Sequence, residues 1–138
     1  MALNFQNLYS NPIFIAFLFH NPNCSGPPWT KQGWWQVNSG QILNAWNVDL
    51  RRVNRFAAFF AQEFSASRGA TWSGNGNNFY LISDMLFSQC FDDNTNCNQQ
   101  PNFVPLDFNG FIDVNVVLGP GSGKLNIKGI APPKRPPK

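Results

Sequence analysis

The run Ile13-Phe14-Ile15-Ala16-Phe17-Leu18-Phe19-His20 decides how this chain folds. Its apolar part, Ile13 to Phe19, is seven residues long. That suits a strand and falls far short of the ~18–20 residues a membrane-spanning helix needs. Side chains alternate across a strand. Ile13, Ile15, Phe17 and Phe19 therefore belong to one face, and Phe14, Ala16 and Leu18 to the other. Both faces are apolar, so both need a cover. A second sheet on one side and a neighbouring subunit on the other would supply it.

The flanking sequence reads as further strands. Upstream, Leu3-Asn4-Phe5-Gln6-Asn7 alternates apolar and polar, as a half-buried strand does. Downstream, Asn21 to Pro28 is dense in turn residues. Gly33 to Val37 and Gln41 to Trp46, joined by Asn38-Ser39-Gly40, read as a hairpin. Asp49 to Ser65 is ambiguous. Leu50, Val53, Ala57, Phe60 and Phe64 fall near helical spacing with Asp49 as a cap, whereas Phe56, Ala58, Phe60 and Phe64 fit period two. Strands are expected over Phe79–Ile82, Met85–Cys90, Phe103–Phe108 and Asp113–Leu118, with Pro105 marking an edge. Gly119 to Gly123 is a flexible linker. Beyond it lie one short strand at Lys124–Lys128 and a basic, proline-rich end, Ala131 to Lys138. About eight to ten short strands separated by frequent turns define an all-β fold, a single-domain β-sandwich of antiparallel strands. Its expected bounds are a sandwich at 1–118, a linker at 119–123 and an extended tail at 124–138.

Composition narrows the function. The chain has 138 residues, enough for one domain with a real core. It holds 14 Phe and 5 Trp, but only 12% of its residues are charged. Such a surface, rich in Asn, Gln, Ser and Gly, is associated with extracellular β domains. Five of the ten basic residues are Lys124, Lys128, Lys134, Arg135 and Lys138. The body is thus close to neutral and lacks the basic face that nucleic acid requires. Met1-Ala2-Leu3-Asn4-Phe5 has no basic region followed by an apolar stretch and small residues, so it does not read as a secretory signal. The expected location is extracellular or on a cell or spore surface, by a route this chain does not declare.

There are three cysteines. Cys90 and Cys97 bracket the polar loop Phe91 to Asn96, and a disulfide between them would brace a strand end. The other reading is three reduced, buried thiols. Cys24, in a turn-rich segment, is the candidate for an interchain bridge.

Several phrases in order resemble a known family. They are LNFQNLYSNPIFIAFLF from Leu3, GWWQVNSGQ from Gly33, FAAFFAQE from Phe56, TWSG from Thr71, and FSQC ending at Cys90 with Cys97 downstream. Together they resemble the bacterial domain of unknown function 1036 family, over roughly Leu3 to Leu118. The resemblance implies a small extracytoplasmic β domain without catalytic residues, and favours strand from Arg55 to Phe64. It implies no ligand.

Candidate sites are few. The acids Asp49, Glu63, Asp84, Asp92, Asp93, Asp107 and Asp113 fall mostly in turns or at strand ends, where Asp is common. His20 is the only histidine, so no nucleophilic triad or general acid–base set is evident. The expectation is a non-enzyme with no cofactor. Asp92, Asn94 and Asn96 have the spacing that opens a calcium loop, but Cys97 replaces its glycine and Phe103 its final Glu, so a polar turn is the default. Trp29, Trp34, Trp35, Trp46 and Trp72 could form a sugar-stacking platform, and Trp34, Trp35 and Trp72 are the candidate binding surface. Trp34 and Trp35 must point to opposite faces of their strand. Lys124, Leu125, Ile127 and Ile130 are candidates for an assembly tail that reaches along a neighbour's sheet edge. The preferred reading is a structural or surface module that self-associates into a homo-oligomer or surface assembly. The alternative is a monomeric module that binds glycans or surfaces through exposed Trp. An enzyme ranks third.

Overall fold

In the computed structural model the chain forms ten strands among its described residues, which are 2–47, 49–63 and 69–132. They are β1 (Leu3–Asn7), β2 (Ile13–His20), β3 (Trp29–Val37), β4 (Ile42–Trp46), β5 (Phe56–Gln62), β6 (Thr71–Trp72), β7 (Phe87–Cys90), β8 (Val104–Asp107), β9 (Asp113–Leu118) and β10 (Leu125–Ile130). Two sheets pack face to face as a β-sandwich. The four-stranded sheet has the order β10-β9-β1-β4. The six-stranded sheet runs β6-β5-β2-β3-β7, with β8 also pairing with β5. All pairings among these strands are antiparallel except β1 with β9, which is parallel.

The doubly apolar run is the centre of the larger sheet, and its two faces go where alternation sends them. Ile13, Ile15 and Phe17 face the four-stranded sheet and join Phe5, Val116 and Leu118 in the main core. Ala16 and Leu18 face the other way, into a second cluster with Trp34, Phe60, Ile82, Phe87 and Phe103. The cover over this second face is not a neighbouring subunit, as the sequence had suggested. It is the chain's own segment between β6 and β8. That segment makes only β7 and isolated bridges, Phe79 with Asn102 and Ile82 with Gln99. Too rich in Asn, Gly and Ser to build a sheet, it satisfies its apolar Ile82 and Phe103 by laying them on β2 and β5.

Three links fasten that cover. Trp34 Nε1 donates to the Ser83 carbonyl at 3.0 Å. Lys31, 1% exposed, donates from Nζ to the Leu81 carbonyl at 2.7 Å and to Asn94 Oδ1 at 2.8 Å, as a buried ammonium must. The third link is a disulfide between Cys24 and Cys90. The expected Cys90–Cys97 bridge is therefore not formed; Cys97 is the free thiol and Cys24 is closed to interchain bridging. The reason is topological: β3 pairs with β7 with Thr30 opposite Cys90, so the Asn21–Pro28 turn lies beside the end of β7.

The Trp35–Trp46 region also departs from expectation. β3 and β4 are consecutive but lie in different sheets, so they form no hairpin. Asn7 redirects the chain. Its side chain donates to the Val37 carbonyl at 2.9 Å, its carbonyl accepts from Gly40 N at 2.8 Å, and its N–H bonds Gln41 O at 3.0 Å. Gly40, at φ 78°, allows the sharp turn. The return strand is thereby laid on β1 rather than β3.

The ambiguous segment resolves into both readings in sequence. Asp49 caps a single 3₁₀ turn, Leu50–Arg52, accepting from Arg51 N, and β5 then runs from Phe56 to Gln62. Phe64 and Ser65 lie outside the described residues. Pro105 sits on β8, an edge strand that pairs with β5 alone. Beyond the linker, β10 pairs along its whole length with β9 of the same chain, so 125–130 is part of the sandwich. Residues 133–138 lie outside the described residues.

Candidate functional site: an aromatic groove and two open edges

A groove of about 450 Å³ crosses the outer face of the larger sheet at the end where β2 finishes and β5 begins. Leu18 and Ala58 form its floor, Trp29, Tyr80 and Phe91 its walls, and Phe56 its rim. Strand geometry fixes this arrangement. Leu18 lies opposite Ala58 across β2 and β5, and His20 opposite Trp29 across β2 and β3. The rings hold one another: Tyr80 meets Phe91 edge to face at 5.4 Å and Phe103 at 5.2 Å, and Trp29 meets His20 at 5.4 Å. At the rim, the Arg55 guanidinium lies 5.1 Å from the Phe56 ring centre and grips Asp107 with two bonds, of 2.6 and 2.9 Å. These bonds hold the Asp107 carboxyl below its ordinary range and the Arg55 guanidinium above its own. The described lining carries Asn78 and the Tyr80 hydroxyl but no carboxylate, imidazole or thiol. Such a surface can stack flat or ring-shaped groups.

The tryptophans chosen from sequence are not this surface. Trp34 and Trp72 are buried, at 7% and 1% exposure, and Trp72 Nε1 donates to the Lys124 carbonyl at 2.9 Å. Trp35 does point opposite to Trp34, but into the main core, against Phe17 at 5.4 Å. These three thus anchor the fold, while Trp29, one of the five platform tryptophans but not among the three chosen, stands in the groove wall. Its neighbours Tyr80 and Phe91 come from a segment without periodicity, so only the fold could assemble them.

The calcium-like spacing is likewise spoken for. Asn94 Oδ1 already accepts from the Lys31 ammonium, and Asn96 adopts φ 61° in a tight turn. Asp92 is exposed beside the groove wall. Asp93 accepts from the Thr95 hydroxyl at 2.6 Å, a bond that lowers its carboxyl below the usual range, helped by the nearby Lys31 charge. No cluster of three or more His, Cys, Asp or Glu suited to a metal occurs among the described residues. The remaining acids stay apart from the groove. Asp49 binds Arg51, and Glu63 accepts from Asn11 Nδ2 at 2.7 Å at the opposite end of β5.

The assembly-tail candidates form an edge. β10 is the terminal strand of its sheet, with Lys124 just before it. The bonds Gly119 N to Lys124 O and Ile112 N to Ile130 O set its phase, so even-numbered residues bond β9. The N–H and C=O groups of Leu125, Ile127 and Gly129 therefore point away from the sheet. Ile127 and Ile130 are 41% and 38% exposed. β4 is the other edge, with Ile42 55% exposed. Between the edges, the outer face of this sheet carries a ladder that the sequence did not disclose. Asn44 Nδ2 donates to Asn4 Oδ1 at 2.8 Å, and Asn4 Nδ2 donates to Asn115 Oδ1 at 2.9 Å.

No described helix is long and apolar enough to cross a membrane. Comparison of the chain with protein-family models, with curated proteins and with solved structures finds no match.

Proposed function

We propose that the protein is a non-enzymatic structural or surface module that assembles with copies of itself along the β10 edge. The observation that supports this most is the edge itself: outward backbone groups at Leu125, Ile127 and Gly129, beside two half-exposed isoleucines. An uncovered edge with apolar side chains is a template for another strand. Lys124 and Lys128 place charge along it. An extracellular or surface location is part of the proposal, and the Cys24–Cys90 disulfide supports it, since such bridges persist in oxidising compartments. Kinship with the domain of unknown function 1036 family remains a proposal resting on the phrases quoted above.

Light scattering on the full chain tests the assembly. The mass should rise above 15.5 kDa with concentration, and Ile127→Lys should return it to that value. A full chain that stays at 15.5 kDa throughout contradicts the proposal.

A second reading, a binding module, rests on the aromatic groove. It transfers the stacking role from Trp34, Trp35 and Trp72 to Trp29, Tyr80 and Phe91. A glycan that binds there should shift the Trp29 indole resonance and leave that of Trp34 in place. A glycan-array signal that survives Trp29→Ala would remove this reading.

A further inference from the structure

We propose that Lys31 and Asn94 are the two halves of a modification site, where an intramolecular isopeptide bond forms once the chain has folded. The inference does not depend on the assembly reading. Three observations carry it.

The first is contact. Lys31 Nζ lies 2.8 Å from Asn94 Oδ1 and 2.7 Å from the Leu81 carbonyl, so the amine is held from two sides, with Cys97 Sγ at 3.7 Å. A carbonyl bond is ~1.23 Å long, which puts Asn94 Cγ within about 4 Å of Nζ. Groups fixed this close in one molecule react as if at very high concentration. The partners are 63 residues apart in sequence, so only the fold brings them together.

The second is burial without a countercharge. Lys31 is 1% exposed, with Leu18 opposite it on β2 and Gln89 opposite it on β7. Its two short hydrogen bonds go to a backbone carbonyl and a side-chain amide, both neutral. A buried ammonium held only by neutral dipoles is costly. Conversion to a neutral secondary amide removes that cost and drives the reaction. The third is an exit. Asn94 is exposed although Lys31 is not, and Asn94 Nδ2 makes no hydrogen bond to a described residue. The leaving nitrogen therefore faces solvent.

The step balances without an added reactant. The Lys31 ammonium sheds a proton, its nitrogen attacks Asn94 Cγ, and the Nζ–Cγ bond forms. The Cγ–Nδ2 bond then breaks, and Nδ2 departs with the shed proton as an ammonium ion. Asp93, the adjacent carboxylate, accepts from Thr95 rather than from Lys31, so no side-chain acid carries the proton and the bond forms slowly. Freshly refolded protein holds the hydrogen bond alone. The mature bond ties β3 to the loop after β7, a second covalent fastening of the covering segment beside Cys24–Cys90.

Intact mass and peptide mapping of the full-length protein test this. Protein kept folded for several weeks should lose the mass of one ammonia, and protein kept in denaturant should not. After reduction and tryptic digestion, residues 1–51 should stay joined to residues 69–124, uncut at Lys31. Lys31→Met, with an apolar chain suited to the buried site, should fold and keep its full mass, as should Asn94→Ala. A wild type that retains its full mass throughout overturns the proposal. So does loss of ammonia with Lys31 still cleaved and unlinked, which would place a succinimide at Asn75 or Asn109, each followed by glycine. Loss that hydroxylamine reverses and that persists in Lys31→Met would instead join Cys97 to Gln89, whose Sγ and Oε1 lie 3.5 Å apart, and would overturn it too.

Discussion

Removal of the Cys24–Cys90 bridge is the sharpest perturbation of the fold. The bridge closes a separation of 66 residues. Chain-entropy reasoning assigns a loop of that length roughly 4 kcal/mol of stabilisation, whereas a Cys90–Cys97 bridge across seven would give only about 2 kcal/mol. For a domain of this size, ~4 kcal/mol corresponds to about 12–16 °C in melting temperature. The native side adds to this, because the bridge ties the Asn21–Pro28 turn to β7, the strand within the covering segment. Guanidinium unfolding of the wild type, Cys90→Ser and Cys97→Ser measures it directly. Cys90→Ser should lose about 4 kcal/mol, and reductant should reproduce that loss in the wild type but not in the variant. Cys97→Ser should keep the midpoint within roughly 1 kcal/mol, since Cys97 makes only weak sulfur contacts, 3.7 Å from Lys31 Nζ and 3.5 Å from Gln89 Oε1. Equal losses in the two variants, or a non-reduced tryptic digest that releases the Cys24 peptide unlinked from the one holding Cys90 and Cys97, would refute the reasoning.

Other substitutions probe the second cluster and the rim. Trp34→Phe opens a void beside Phe60 and Phe87 and leaves the Ser83 carbonyl without its indole donor, and should cost about 2–4 kcal/mol in chemical unfolding. Gly33→Ala places a Cβ 2.7 Å from the Phe87 ring, so the ring must move; about 1–3 kcal/mol should be lost, and Phe87→Leu should recover part of it. The Asp107 carboxyl is held below its unfolded value, so its contribution is present above the unfolded value and disappears as pH falls through the folded one. Asp107→Asn should therefore flatten the acid limb of a stability profile, less so at high salt, because the pair is exposed.

Much of the architecture was legible because β2 and β9 state their faces by alternation alone. Ile13, Ile15 and Phe17 point inward, as do Val114, Val116 and Leu118. Pro105 announced an edge for the same kind of local reason. What was not legible depends on partners distant in sequence. Asn7 steers the Asn38–Gln41 turn through bonds to residues some thirty positions away, so the apparent hairpin was split between sheets. Cys24 finds Cys90 because β3 lies beside β7, while sequence proximity had favoured Cys97. Exposure could not be inferred from residue type: Trp34 and Trp72 have buried donors with carbonyl partners, whereas Trp29 begins β3 beside a groove. Nor could the sequence show that an irregular, Asn-rich segment would cover the second face of β2. That cover removes one motive for association through the larger sheet and leaves the edges of the smaller one.

Amide hydrogen exchange on β10 as a function of protein concentration examines self-assembly at the residues held responsible. The amides of Asn126, Lys128 and Ile130 face β9 and should be protected at every concentration. Those of Ile127 and Gly129 should exchange freely in dilute solution and become protected as concentration rises. If Ile127 and Gly129 remain unprotected in the most concentrated sample, copies of the chain do not pair along this edge.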